Sequence, residues 1–186
     1  MLAPPPPPPP CVPAGAQIVA LRGRAAVFAL AGRYGCYASG RPVRLAAPPG
    51  PPAGPGLREG LSRITLNGHD VAFARTSSGV DTNSVTVEVF DLKARRRLDR
   101  KLAITQVVGP ESVSSVTALR LRSDGAVAWI ASVTSLGTRN FSREVHGARG
   151  GHDHLLDHSK TIAVHSLGLH GRYVLWQDGG SRRARL

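Results

Sequence analysis

The feature that most constrains this chain is a short motif that occurs four times. Leu66-Asn67-Gly68-His69-Asp70-Val71-Ala72-Phe73 matches Leu169-His170-Gly171-Arg172-Tyr173-Val174-Leu175-Trp176 position for position. Leu121 to Trp129 repeats it with one extra residue around Asp124-Gly125, and Leu21 to Phe28 repeats it around Gly23. Each copy reads as a strand, a tight turn whose glycine adopts positive φ, and a returning strand that buries an aromatic. The aromatics Phe28, Phe73, Trp129 and Trp176 stand 45, 56 and 47 residues apart. That period suits a repeated four-stranded antiparallel unit with variable loops.

Between the copies the apolar residues alternate with period two. Val85, Val87 and Val89 fall on one face of an extended segment, and Thr86, Glu88 and Phe90 on the other, the pattern of a half-buried strand. No segment keeps a helical period over three turns, so the predicted fold class is all-β, built from antiparallel hairpin repeats. Residues 4 to 10 are consecutive prolines, which cannot join a sheet ladder. Residues 1–10 therefore read as a proline-rich leader rather than a secretory signal, and residues 11–186 as one repeat domain. A Pro/Gly-rich stretch at 46–60 reads as a loop.

After the second hairpin come Val85 to Phe90, then Asp91-Leu92-Lys93-Ala94-Arg95-Arg96-Arg97-Leu98. This strand ending in Asp-Leu ahead of an outer hairpin resembles the blade repeats of WD-repeat-like and TolB-like β-propellers. Cys11-Val12-Pro13, Tyr34-Gly35-Cys36, Ser123-Asp124-Gly125-Ala126-Val127-Ala128-Trp129-Ile130 and the closing Arg183-Ala184-Arg185-Leu186 resemble small uncharacterised secreted proteins of actinobacterial type. The resemblance implies a small or partial β-propeller-like domain of about three to four blades, three complete and one final hairpin. Closed propellers have four to eight blades, so a small ring, an open array and a dimer all remain open. Blade motifs specify architecture and no chemistry.

Cys11 and Cys36 flank the first predicted hairpin, with no CxxC pair and no zinc-type histidine spacing. They are expected to form a disulfide, which places the protein outside the cytoplasm, extracellular or at the cell surface. The alternative is two unrelated buried thiols. Lys plus Arg number 24 against 12 Asp plus Glu, a formal charge of +12, which favours an anionic partner. The basic residues are scattered and only nine residues are aromatic, whereas nucleic-acid readers interleave basic stripes with aromatics; specific nucleic-acid binding is not expected. No window holds the roughly 18 to 20 apolar residues of a membrane-spanning helix.

Six of the seven histidines lie from His146 onward. In Gly151-His152-Asp153-His154-Leu155-Leu156-Asp157-His158 an extended strand puts His152 and His154 on one face, where two imidazoles can chelate a divalent transition metal, with Asp157 or His158 as third ligand from a neighbouring turn. The competing reading is a solvated, histidine-rich outer hairpin. No Gly-x-Ser-x-Gly elbow, HExxH helix or phosphate-binding glycine loop is present, so no catalytic residue and no cofactor site is assigned. Trp129 and Trp176 are read as core anchors, and Asp91 and Asp124 as turn residues. The expected function is a secreted or cell-surface binding or scaffold module without catalysis. It would engage an unidentified protein or anionic polymer through the loops 46–60, 76–84 and 132–142. The alternative is a metal-binding extracytoplasmic protein using the 152–158 hairpin. A third possibility is nonspecific nucleic-acid binding by a basic protein.

Overall fold

The computed structural model describes residues 7–46, 58–78, 83–105, 112–135 and 141–186. These form fifteen strands in four antiparallel sheets, each a meander in which sequence neighbours pair. The first sheet is β1 (Gln17–Arg22), β2 (Ala25–Ala29), β3 (Arg33–Tyr37) and β4 (Val43–Ala46). The second is β5 (Arg58–Asn67), β6 (Asp70–Ser78), β7 (Asn83–Asp91) and β8 (Arg96–Leu102). The third is β9 (Ser112–Leu121), β10 (Val127–Ser135), β11 (Phe141–Arg149) and β12 (His152–Ser159). The fourth has three strands, β13 (Gly168–His170), β14 (Tyr173–Gln177) and β15 (Ser181–Arg185). No helix among the described residues is long and apolar enough to cross a membrane.

The repeated turns sit where the motif put them: Gly23, Gly68, Gly125 and Gly171 all have positive φ. Three features differ from the sequence expectation. The last unit is a three-stranded sheet rather than a hairpin, because Ser181–Arg185 pairs with Tyr173–Gln177. The strands also run into stretches expected as loops. β5 begins at Arg58, β6 and β7 continue to Ser78 and from Asn83, and β10 and β11 to Ser135 and from Phe141. Here largely polar arms complete each other's ladders, with Val133 buried among them. Residues 47–57, 79–82 and 136–140, the centres of the three loops expected to meet a partner, lie outside the described residues. Finally, the leader enters the fold before Cys11. Pro9 is buried, and its carbonyl accepts from Val12 N at 3.0 Å.

Packing follows strand alternation. Val71 and Phe73 of β6 meet Ala25, Val27 and Leu45 of the first sheet. Val127, Trp129 and Ala131 of β10 meet Ala72, Ala74, Val85, Val87 and Val89 of the second. Val174 and Trp176 of β14 meet Ala118, Ala128, Ile130 and Val145 of the third. The opposite face of β2 carries Ala26 and Phe28, covered by Cys11 and Cys36 with Val12, Ala16 and Tyr34 packed around them. Cys11 and Cys36 form a disulfide with Cα atoms 6.1 Å apart. The first strands of the sheets are also stitched together by side chains. Arg22 Nη1 donates to Leu66 O at 2.8 Å, and at the equivalent place in the next sheet Asn67 Nδ2 donates to Leu121 O at 3.0 Å.

One carboxylate is buried between the first two sheets. Glu88, 1% exposed, takes Arg75 Nε at 2.7 Å and Nη2 at 3.3 Å, with Arg100 Nε at 3.5 Å. The same guanidinium reaches Glu59 Oε2 at 3.0 Å and the carbonyl of Leu45. Glu88→Ala is expected to cost about 3 kcal/mol, since it removes the buried partner of a mostly buried arginine and leaves it only the more exposed Glu59 and a carbonyl, whereas Arg97→Ala, half exposed and 4.0 Å from Glu88, should cost under about 1 kcal/mol; urea denaturation of the two variants checks the contrast. Replacing both cysteines by serine opens a link spanning 25 residues and is expected to lower stability by about 3 to 4 kcal/mol, read from the same denaturation midpoint.

Candidate functional site

The first strands of the second and third sheets each carry a bulge. In β5 the pairing with β6 jumps between Ser62 and Thr65, and Arg63 has φ of 52°. In β9 the pairing with β10 skips Thr117, whose Oγ1 donates to Ile130 O at 3.2 Å. A bulge bends its strand and re-aims the side chains beside it. Between the two bulges lies a cleft of about 390 Å³ lined by Arg63, Ile64, Thr65, Thr117, Ala118, Leu119, Arg120 and His165. His165 comes from the segment joining β12 to β13.

The cleft's lining holds two guanidiniums, an imidazole and two hydroxyls, and no carboxylate. Arg63 Nε donates to Val116 O at 3.2 Å and Arg120 Nη1 to Leu119 O at 3.0 Å. Each guanidinium thus anchors one edge on the backbone and keeps further donors for a ligand. Fixed, planar donor forks suit carboxylate, sulfate or phosphate oxygens, which they can hold bidentately. The lining residues place no carboxylate beside His165. Scattered arginines in the sequence carry no signal for this site. It arises from two bulges, each a single inserted residue.

The histidine-rich strand is arranged otherwise. A register shift between Val145 and His146 leaves Leu156 unpaired in β12. Residues across from Arg149, Gly147 and Val145 are His152, His154 and Asp157, which share one face, while His158 lies opposite Glu144 on the other. All four remain within the strand, so none comes from a neighbouring turn. Asp157 Oδ2 accepts Trp176 Nε1 at 2.6 Å. Among the described residues no three of these side chains offer ligand atoms at a common point. Trp129 and Trp176 are buried, and Asp91 Oδ1 caps its turn by accepting Lys93 N and Ala94 N, both at 2.8 Å.

A titratable pair is sealed in the core. His146 and Glu144 are both fully buried, with His146 Nε2 2.7 Å from Glu144 Oε2. That oxygen also accepts Thr105 N at 2.9 Å and Thr105 Oγ1 at 3.1 Å. The Trp129 ring stacks on the imidazole at 4.9 Å, its Nε1 donating to Ala103 O. Burial pushes the imidazole below its ordinary value against the pull of Glu144. Burial alone would raise the Glu144 carboxyl, but the Thr105 and His146 donors outweigh it and hold the group low. The pair is therefore a neutral imidazole donating to a carboxylate.

The comparisons with known proteins found no matching family model, no similar curated protein and no similar solved structure. The likeness to propeller blades consequently rests on the repeat and its packing alone.

The buried pair sets a pH response. Both groups bind fewer protons folded than unfolded, so stability rises with pH. The histidine part is complete above its unfolded value of 6.5 and is lost as pH falls below it. The melting temperature is expected to drop between pH 7.5 and 5.5, and by less in His146→Gln, which keeps an amide donor toward Glu144. Equal drops in the two proteins would place the acid sensitivity elsewhere.

Proposed function

We propose that the chain is an extracellular or cell-surface binding module, a β-propeller-like array that acts without catalysis and seats an anionic group of its partner between β5 and β9. The observation that carries this reading is the Arg63–Arg120–His165 cleft, free of carboxylates in its lining and placed on the first strands of neighbouring sheets. Four successive meanders, joined face to face with contacts running from β1 to β5, β5 to β9 and β9 to β13, support the likeness to propeller blades. Ligands of α/β and β architectures alike favour concave sites where several elements converge on a few polar groups. The disulfide supports an oxidising compartment, and the net charge of +12 favours anionic polymers or acidic proteins as partners.

The test is binding of the folded protein to a phosphate-bearing polymer, a carboxylate-bearing polysaccharide and duplex DNA, each across a salt series. Arg63→Ala with Arg120→Ala is expected to weaken binding of the preferred polymer by about a hundredfold or more, as two charge-assisted contacts of roughly 1.5 to 3 kcal/mol each are removed. Arg182→Ala with Arg183→Ala, which removes the same charge from β15, should change it little. Equal losses from both pairs, with a steep salt dependence toward all three polymers, would reduce the interaction to net charge and favour nonspecific polyanion binding.

A further inference from the structure

Among the described residues, one group of side chains, outside the cleft and the histidine-rich strand, converges as metal ligands do. His69 lies in the turn between β5 and β6, Asp70 opens β6, and Asp91 ends β7 directly across from Asp70. His69 Nε2 is 3.7 Å from Asp70 Oδ1 and 3.7 Å from Asp91 Oδ2, and one ligand atom from each residue lies within 4.8 Å of the others. Ligands bonded at about 2.0 to 2.2 Å around one tetrahedral ion stand roughly 3.3 to 3.6 Å apart, so the two His69 contacts need only a small contraction.

A second observation is independent of this clustering. Asp70 is 3% exposed, and its Oδ1, the atom facing His69, is buried with no hydrogen-bond partner. Buried carboxylate oxygens are nearly always satisfied by donors or ions. Asp91 is aimed by its turn, since Oδ1 is used by Lys93 N and Ala94 N while Oδ2 is left facing His69. The backbone of His69 is fixed as well, its carbonyl accepting Leu92 N at 2.9 Å, and the imidazole meets the Tyr37 ring edge-on. Burial raises the Asp70 carboxyl against the opposing pull of His69, and Asp91 and Asp124 push it up further, a cost that a cation offsets. Asp124 itself is occupied by Arg122 at 2.8 Å and Arg149 at 3.2 Å.

We propose that His69 Nε2, Asp70 Oδ1 and Asp91 Oδ2 form a binding site for a divalent transition cation of the zinc class. One imidazole and two carboxylates make a mixed nitrogen and oxygen set, which suits Zn²⁺ better than the all-oxygen shells of Ca²⁺ or Mg²⁺. Bound there, the ion ties the β5–β6 turn to the end of β7. The half-exposed His69 side chain leaves it open to solvent, so a water completes the coordination. The site pins the hairpin that carries Arg63 and needs no part of the anion-binding reading to be correct.

The experiment is calorimetric titration of chelator-treated, untagged full-length protein with ZnCl₂, alongside melting curves with and without the metal. One equivalent is expected to bind and to raise the melting temperature. His69→Gln and Asp91→Asn should each abolish that event, while His152→Ala with His154→Ala should leave it unchanged. His69→Gln alters a half-exposed turn residue, so its fold is checked by its metal-free melting curve. No binding by folded wild-type protein would overturn the proposal. Binding that survives His69→Gln but disappears with the His152 and His154 changes would do the same, and would move the metal to β12.

Discussion

A small antiparallel meander cannot bury both of its faces, and the structure depends on how neighbouring meanders cover one another. Each of the last three sheets turns an aromatic from its second strand, Phe73, Trp129 or Trp176, toward the sheet before it. Phe28 points the same way but has no preceding sheet to meet. Its cover is the segment around Cys11, clamped to β3 by the disulfide. The cross-link thus closes the first sheet's open face, and the core there is small enough to need it. At the other end of the array Tyr173 and Leu175 on β14 stay exposed, with Arg183 stacked over the Tyr173 ring.

Because the interfaces are built largely of alanine and valine, sheets approach closely and polar side chains are drawn into the seams. Gly35 shows how tight this is, since a Cβ there would lie 2.6 Å from Leu92 Cδ2 and 3.2 Å from Leu45 Cδ1. Glu88 is held by Arg75 of its own sheet, whose guanidinium also reaches Leu45 O of the first sheet, and Thr105, just beyond β8, donates to Glu144 of the third. Removing one partner from such a network is costly because the other remains buried. These contacts fix which sheet meets which more specifically than apolar area does.

Much of this was readable from the residues. Strand alternation, the four glycine turns, the aromatic anchors and the Asp91 cap all follow from local rules acting over a few positions, and the Cys11–Cys36 expectation rested on the two cysteines flanking the first hairpin. The bulges did not show, because one inserted residue has no compositional signature, and with them the cleft and the reversal of His158 were invisible. β15 was missed for a related reason: Arg182, Arg183 and Arg185 cover an edge strand and carry no alternating apolar face. The histidine reading weighed residues close in sequence. The convergence of His69, Asp70 and Asp91 instead depends on the register that sets Asp70 opposite Asp91 across β6 and β7, which no spacing reveals.

The β5–β6 hairpin is where these constraints meet. Its strand β5 receives Arg22 from the first sheet and reaches Leu121 of the third through Asn67, while its turn is held by Leu92 N on the His69 carbonyl. Arg63 extends from the same strand with its Nε already spent on Val116 O. A guanidinium whose backbone and inner edge are both fixed loses little conformational freedom when an anion arrives, so more of each contact appears as affinity. Rigidity generated at the hairpin's turn is thereby delivered to the cleft along a strand that cannot slide, since its bulge locks the register on one side and side-chain bonds to two neighbouring sheets lock it on the others.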